Sequence, residues 1–214
     1  MDTVVNNGSD ADNGARADKA RLRARLLAAR RAVPDGVRAA DAARLADGVL
    51  DALAALGVPA TGEPVVCAYV PVGAEPGSLD LLDRLAGAGY RVLLPVVVGA
   101  APLEWSVFTG AAGLAPGRHG LREPAGVRLG AAAVTEARAV LVPALAVDRA
   151  GVRLGRGGGH YDRSLALARP ASPLVAVVRD DEVVAELPAE PHDVRMTAAL
   201  TPGRGLVRLL PSAR

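Results

Sequence analysis

Polar and apolar positions along the chain fall into blocks with two different periods. Residues 1 to 17 are rich in Asn, Asp and Gly without apolar periodicity, which reads as a flexible tail ahead of a single α/β domain over residues 18 to 214. Asp18 is placed to cap a helix whose apolar positions Leu22, Leu26 and Ala29 share one stripe and which Pro34 ends. A second helix follows Asp35, with a stripe of Val37, Ala40, Leu45, Val49, Leu53 and Leu56 and with Gly57 to stop it. Then the period shortens. Val65 to Val72 is a β-branched apolar run, followed by a helix near Leu79 to Leu85 and a second run from Val92 to Val98, together a βαβ unit. Leu103 to Phe108 reads as a strand and Thr109 to Pro124 as a loop punctuated by Gly and Pro. Ala139 to Val147, a glycine-rich connection over Asp148 to Gly159, a helix from Tyr161 to Ala168 and a strand from Leu174 to Val178 make a second βαβ unit. Strands apolar on both faces that alternate with helices predict a three-layer α/β sandwich around a mainly parallel sheet.

Composition changes this picture little. With 2% aromatic residues, the core has to be built from Leu, Val and Ala. The net charge of +2 gives no general attraction to nucleic acid, and no nucleic-acid partner is expected. Cys67 is the only cysteine and sits in an apolar run, which rules out an intrachain disulfide and reads as a small buried hydrophobe. The uncharged stretch from Val92 to Leu103 contains two prolines and is shorter than the roughly 20 residues of a membrane span. The N-terminus lacks the basic start and apolar stretch of a signal peptide, so the expectation is a cytoplasmic protein with no membrane partner.

Candidate chemistry gathers where strands lead into helices, because ligands of open parallel sheets bind beyond the carboxyl ends of the strands. The segment DRAGVRLGRGGGHYDR, Asp148 to Arg163, supplies five glycines whose amides can converge on an anion, together with Arg153, Arg156 and Arg163. It is neither a Walker A loop nor a dinucleotide fingerprint, since no Lys-Ser or Lys-Thr follows the glycines and the third glycine of the fingerprint is missing. The same segment also reads as a plain glycine-rich surface turn. Lys19 and Arg23, four residues apart on the basic first helix, could grip a polyphosphate from one helical face, or belong to a merely solvated one. Glu75 follows the first strand, at the edge where site residues accumulate. Asp162 and Asp193 are carboxylates that could hold magnesium beside phosphates, or serve as a cap and a surface acid. His119, His160 and His192 show no zinc-type spacing.

Taken together, AVLVPALAVDRAGVRLGRGGGHYDR closely resembles the signature of the 5-formyltetrahydrofolate cyclo-ligases, also called methenyltetrahydrofolate synthetases. The family's opening Lys-x-x-Leu-Arg is similar to Lys19 to Arg23, its Tyr-x-Pro-x-x-x-Glu to Tyr69 to Glu75, its Glu-Pro to Glu123 and Pro124, and its late His-Asp to His192 and Asp193. These motifs occur in the family's order over residues 19 to 201. Where the family usually places two aromatics before the Asp, this chain has His160 and Tyr161, and Arg156 stands where many bacterial relatives carry an aromatic.

The resemblance implies a Rossmann-like nucleotide-binding fold and an ATP- and magnesium-dependent closure of 5-formyltetrahydrofolate to 5,10-methenyltetrahydrofolate, with release of ADP and phosphate. It implies that Lys19, Arg23 and the run Arg153, Leu154, Gly155, Arg156, Gly157, Gly158, Gly159, His160 and Tyr161 hold ATP. Arg153 and Tyr161 would take part in catalysis, Glu75 would hold the folate, and Asp162 and Asp193 would carry the metal. A monomer acting on these small molecules is expected. Two other classes stay open: a catalytically silent nucleotide- or folate-binding paralogue serving as an interaction module, and a phosphosugar isomerase or acyl transferase on a related scaffold.

Overall fold

A computed structural model describes residues 8–117, 120, 122–190 and 192–209, with the backbone alone over 8–17. Helix α1 (Gly8–Ala32) starts well before Asp18. Most of the stretch expected to be a tail is therefore helical where described, and residues 1–7 lie outside the described residues. No proline interrupts residues 8 to 18, and a helix already nucleated extends through Ala, Arg and Asp at low cost. Asp18 is consequently interior to α1 and pairs with Arg21 at 2.8 Å instead of capping. Helix α2 (Asp35–Ala55) buries Leu45, Ala46, Val49 and Leu53, whereas Val37 and Ala40, the start of the expected stripe, face solvent. At its end Leu56 and Gly57 turn the chain, Gly57 with φ +76°.

Strand β1 (Val65–Cys67) is shorter than its apolar run. The chain leaves the sheet ahead of Pro71, which has no N–H to offer a ladder. Ser78 caps α3 (Leu79–Gly87) by accepting from the Leu81 amide at 3.3 Å, and α3 returns the chain to β2 (Arg91–Val96), parallel to β1. β3 (Glu104–Val107) then pairs antiparallel with β2. The expected loop over Thr109 to Pro124 contains a small hairpin, β4 (Leu114–Pro116) with β5 (Arg122–Pro124).

The run Ala139 to Val147 is two strands. β6 (Ala139–Pro143) belongs to the main sheet and ends at a proline, and β7 (Ala146–Asp148) crosses into a second sheet with β8 (Arg153–Leu154) and β10 (Val183–Val184). Helix α4 (His160–Leu165) leads to β9 (Leu174–Val177), and a C-terminal hairpin of β11 (Ala198–Thr201) and β12 (Gly205–Arg208) completes the sheet.

The main sheet has seven strands in the order β12-β11-β9-β6-β1-β2-β3, with antiparallel pairings only at its two edges. Residues alternate between two cores. Val66, Val92, Leu94, Leu141, Val175 and Leu200 face α2 and α3, while Cys67, Leu93, Val140, Val142, Ala176 and Ala199 face the side of α4. This is the α/β sandwich with a mainly parallel sheet expected from the pattern. Numbered among themselves, the parallel strands run 2-1-3-4-5, the flavodoxin-like doubly wound order and not the Rossmann order. α1 covers the small sheet through Leu22 and Leu26, which pack with Ala146, Val152, Leu154 and Leu187.

Candidate functional site

From β1 the chain crosses to β2 on one side, and from β6 to β9 on the other, so the connections diverge and leave a crevice beyond the carboxyl ends of β1 and β6. A cavity of about 350 Å³ occupies it. It extends from Pro143 and Ala144 at β6, past Tyr69, Val70 and Glu75 after β1, to Pro95 and Val97 at β2. The glycine-rich segment between β8 and α4 forms a further wall, and α1 brings Lys19, Arg23 and Arg30.

Lys19, Arg23, Glu75, Asp162, Asp193 and the run from Arg153 to Tyr161 all line this one cavity, whereas Gly151 and Arg163 of the glycine-rich segment are not among its lining residues. Lys19 is 6% exposed, and its Nζ lies 3.2 Å from Asp193 Oδ2 and 3.3 Å from Glu190 Oε2. A buried ammonium needs such partners. Arg23 donates from Nε to the Gly155 carbonyl at 3.0 Å, with the guanidinium close against Gly157. Gly157 (φ +101°) and Gly159 (φ +65°) have left-handed backbones, and a Cβ on Gly159 would lie 2.6 Å from Arg163 Nη1. Leu154 differs from its neighbours: its side chain packs with Leu22 and Leu26, and its carbonyl accepts from the Leu145 amide at 2.7 Å.

Two acids, one expected to hold the folate and one the metal, are held by arginines of the glycine-rich segment. Arg153 Nη2 meets Asp162 Oδ1 at 2.7 Å, and its guanidinium carbon sits 5.8 Å from the centroid of the Tyr161 ring. Arg156 Nε meets Glu75 Oε1 at 2.9 Å, while Glu75 Oε2 accepts from the Val72 amide at 2.9 Å. Burial pushes the Tyr161 phenol far above its ordinary value; Glu75 adds to the rise and Arg153 opposes it. Its hydroxyl and Arg153 Nε are buried without hydrogen-bond partners among the described residues. Burial likewise raises Tyr69, whose hydroxyl donates to the Pro76 carbonyl at 2.6 Å. Both phenols therefore stay protonated as neutral donors. His160 Nδ1 stands 3.4 Å from the Ala101 carbonyl and 3.3 Å from Arg163.

For a metal, the structure brings together Glu190, His192 and Asp193, with ligand atoms within 4.8 Å of one another. Asp162 lies on the cavity wall outside that group and is paired with Arg153. His119 lies outside the described residues.

Sequence reasoning missed Glu190, whose only signal is its place three residues before Asp193, and the buried pair of Arg30 and Glu182. Arg30 Nε and Nη2 meet the two Glu182 oxygens at 2.6 and 2.7 Å, and Nη2 also reaches the Ala144 carbonyl at 2.5 Å. These contacts tie α1 to the end of β6 and to the segment after β9. Glu182 carries no mark in sequence, since its neighbours Asp180 and Asp181 make it look like part of a solvated acidic turn.

Known proteins resemble this chain in sequence and in fold. The model of the 5-formyltetrahydrofolate cyclo-ligase family matches residues 15–202. A 5-formyltetrahydrofolate cyclo-ligase of Mycolicibacterium smegmatis is 50% identical over 196 residues, covering 89% of this chain and 97% of the relative. That of Escherichia coli is 29% identical over 142 residues, 65% of this chain and 78% of the relative. The solved structure of 5,10-methenyltetrahydrofolate synthetase from Aquifex aeolicus aligns with a TM-score of 0.71 at 27% identity, over 92% of this chain and 94% of that one. A synthetase from Mycoplasma pneumoniae, with a TM-score of 0.66 at 18% identity over 85% of this chain and 97% of that one, shares the fold.

Proposed function

The chain belongs to the 5-formyltetrahydrofolate cyclo-ligase family, and on that premise we propose that it closes 5-formyltetrahydrofolate to 5,10-methenyltetrahydrofolate at the expense of ATP. The observation that carries this reading is that one cavity gathers Lys19, Arg23 and the glycine-rich segment with its arginines together with the Glu75 carboxylate, which Arg156 holds at 2.9 Å. The cations and backbone amides suit a triphosphate, and a carboxylate suits an uncharged ring with N–H donors.

The reaction needs help because an N-formyl group is an amide. Its carbon is a poor electrophile, and its oxygen a poor leaving group, until that oxygen is phosphorylated. The formyl oxygen bonds to the γ-phosphorus as the bond to ADP breaks. The neighbouring folate nitrogen then bonds to the formyl carbon and loses its proton, and the oxygen departs with inorganic phosphate.

For such a reaction placement and charge neutralisation do most of the work. Lys19 and Arg23 hold the phosphates from α1, with Gly155 to Gly159 following their outline. Arg153, already desolvated beside Tyr161, neutralises charge that develops on the transferred group. Tyr161 supplies a protonated hydroxyl and a ring that closes the reacting centre against water. His160 precedes it in the chain in place of the more usual aromatic and lines the same cavity, and Glu75 orients the folate.

The donor chemistry on the cavity wall fits a hard divalent cation, since Asp162, Asp193 and Glu190 are oxygen ligands and the chain has no thiolate there. Asp162 and Asp193 would hold magnesium, which when bound offsets the charge of the phosphates. Lys19 keeps Asp193 in position until then.

The chemistry is tested by mixing the protein with MgATP and 5-formyltetrahydrofolate and following the near-ultraviolet absorbance of methenylfolate together with ADP. Stoichiometric appearance of both is expected. In Glu75→Gln the folate affinity should fall while ATP affinity is unchanged, and an equal loss of both would count against the assignment of Glu75.

A further inference from the structure

Glu123 stands at the β2 end of the cavity, next to Arg122, and none of the roles above uses it. It sits on β5, and its Oε1 accepts from the Val97 amide just beyond β2 at 3.1 Å. The hairpin holds it tightly. A Cβ on Gly117 would lie 2.8 Å from Glu123 Cγ and 2.9 Å from Cδ, so a glycine at that turn is what leaves room for the carboxylate. Among the described residues, Oε2 accepts no hydrogen bond. Glu75 differs, since both of its oxygens are engaged, by Arg156 and by the Val72 amide.

The surroundings of Glu123 restrict what it can bind. Pro95, Val97 and Leu103 line the same end of the cavity, offering apolar surface to a flat ring. A fixed anion there repels the carboxylates of a folate's glutamate tail and favours N–H donors. The strands β6, β1 and β2 are adjacent in the sheet, and successive strands stand about 4.8 Å apart. A ring reaching from the phosphate side of this crevice toward β2 therefore presents its far edge to Glu123. In a reduced folate that edge is an aminopyrimidinone, with an exocyclic amino group and a ring N–H side by side.

Resting on the cyclo-ligase reading above, we infer that Glu123 is a second folate-reading carboxylate, which accepts hydrogen bonds from the amino group and ring N–H of the aminopyrimidinone edge. Gly117 is the positioning residue that keeps this carboxylate in place. Glu123 sets substrate specificity and takes no part in phosphoryl transfer.

The test compares 5-formyltetrahydrofolate with its 2-desamino analogue at saturating MgATP, in the natural protein and in Glu123→Ala, Glu123→Gln and Glu75→Gln. The natural protein should prefer the parent compound by about a hundredfold in kcat/KM, because a site built around a hydrogen bond rejects the analogue that lacks it. In Glu123→Ala the loss should fall on KM for the parent and leave the analogue nearly unchanged, bringing the preference to within about threefold. Glu123→Gln should fall between, ATP affinity should hold throughout, and Gly117→Ala should shift the preference in the same direction. A Glu123→Ala protein that keeps the natural preference, or a preference lost in Glu75→Gln alone, would overturn the inference. Should the natural protein form no methenylfolate, the cyclo-ligase reading fails by itself, and direct titration with the two compounds still decides whether Glu123 reads the amino group.

Discussion

Lys19 and Asp193 lie 174 residues apart in sequence and 3.2 Å apart in the fold, the ammonium of one against the carboxylate of the other, with Glu190 at 3.3 Å. The cation and a candidate metal ligand are thus one electrostatic unit. Under the proposed assignment, a negatively charged nucleotide would draw Lys19 while a divalent cation would draw Asp193, so each ligand would relieve the partner that the other removes.

Lys19→Ala should accordingly raise KM for ATP by about tenfold or more while leaving folate affinity near the natural value. It should also cost about 1–3 kcal/mol of stability, because Glu190 and Asp193 are left facing each other without the buried cation. Calorimetric titration with each ligand and urea unfolding measure the two effects separately. Unchanged ATP affinity in a stable variant would remove Lys19 from the phosphate site.

Asp193→Asn and Asp162→Asn should both raise the magnesium concentration needed for half-maximal activity, since an amide is a weaker ligand for a hard cation. Asp193 should show the larger effect. Asp162 shares its carboxylate with Arg153, so its variant also frees that guanidinium. If the Asp162→Asn magnesium titration overlays that of the natural protein while its melting temperature falls, Asp162 serves only to hold Arg153.

Arg30 and Glu182 join α1 to the main sheet through a buried two-pronged pair, and removing one partner strands the other. Glu182→Gln or Arg30→Met should therefore cost about 3–5 kcal/mol in urea unfolding. The double variant Arg30→Met with Glu182→Leu should recover part of that loss, because no lone buried charge remains. Equal costs for single and double variants would show that the pair acts through packing alone.

His160→Tyr restores the more usual aromatic and should retain turnover within roughly tenfold, about 1.4 kcal/mol in the barrier. Tyr161→Ala should be far more damaging, because it opens the wall beside Arg153 as well as deleting the ring. An inactive natural protein that gains activity on His160→Tyr would favour a silent binding paralogue.

Stability should fall at both ends of the pH scale. Burial, with a smaller contribution from Glu136, holds the Cys67 thiol far above its ordinary value, so above about pH 9 the unfolded chain gives up a proton that the folded protein keeps. Each such group lowers stability by about 1.4 kcal/mol per pH unit in that range, and the Tyr69 and Tyr161 phenols join it at still higher pH. On the acid side, partial burial works against the Asp180 carboxylate, but hydrogen bonds from Thr201, Gly203 and Arg204 outweigh it and hold it below its usual value. Its stabilisation is present above about pH 4 and is lost as the pH falls through its folded value. Urea midpoints across pH 3 to 11 check both limbs, and Cys67→Ala should flatten the first part of the alkaline one.

The sequence by itself determined the class of fold, both βαβ units and nearly every wall of the site. Those features rest on local periodicity and on motifs whose residues are neighbours along the chain, such as Gly155 to Asp162. It could not place strand ends, because an apolar run continues through residues that leave the sheet. Ala139 to Val147 is one run in sequence, yet Pro143 divides it between two sheets. Nor could it start α1 correctly, since the polar residues 8 to 17 carry no apolar stripe although they continue the helix. Only the tertiary structure brought Glu190 to Lys19, Glu182 to Arg30, Arg156 to Glu75 and the Glu123 carboxylate to the β2 end of the crevice. Each of these is a charge whose partner or place depends on how strands are ordered in the sheet. That order is set by long-range packing of α2, α3 and α4 on the two faces, and no local pattern encodes it.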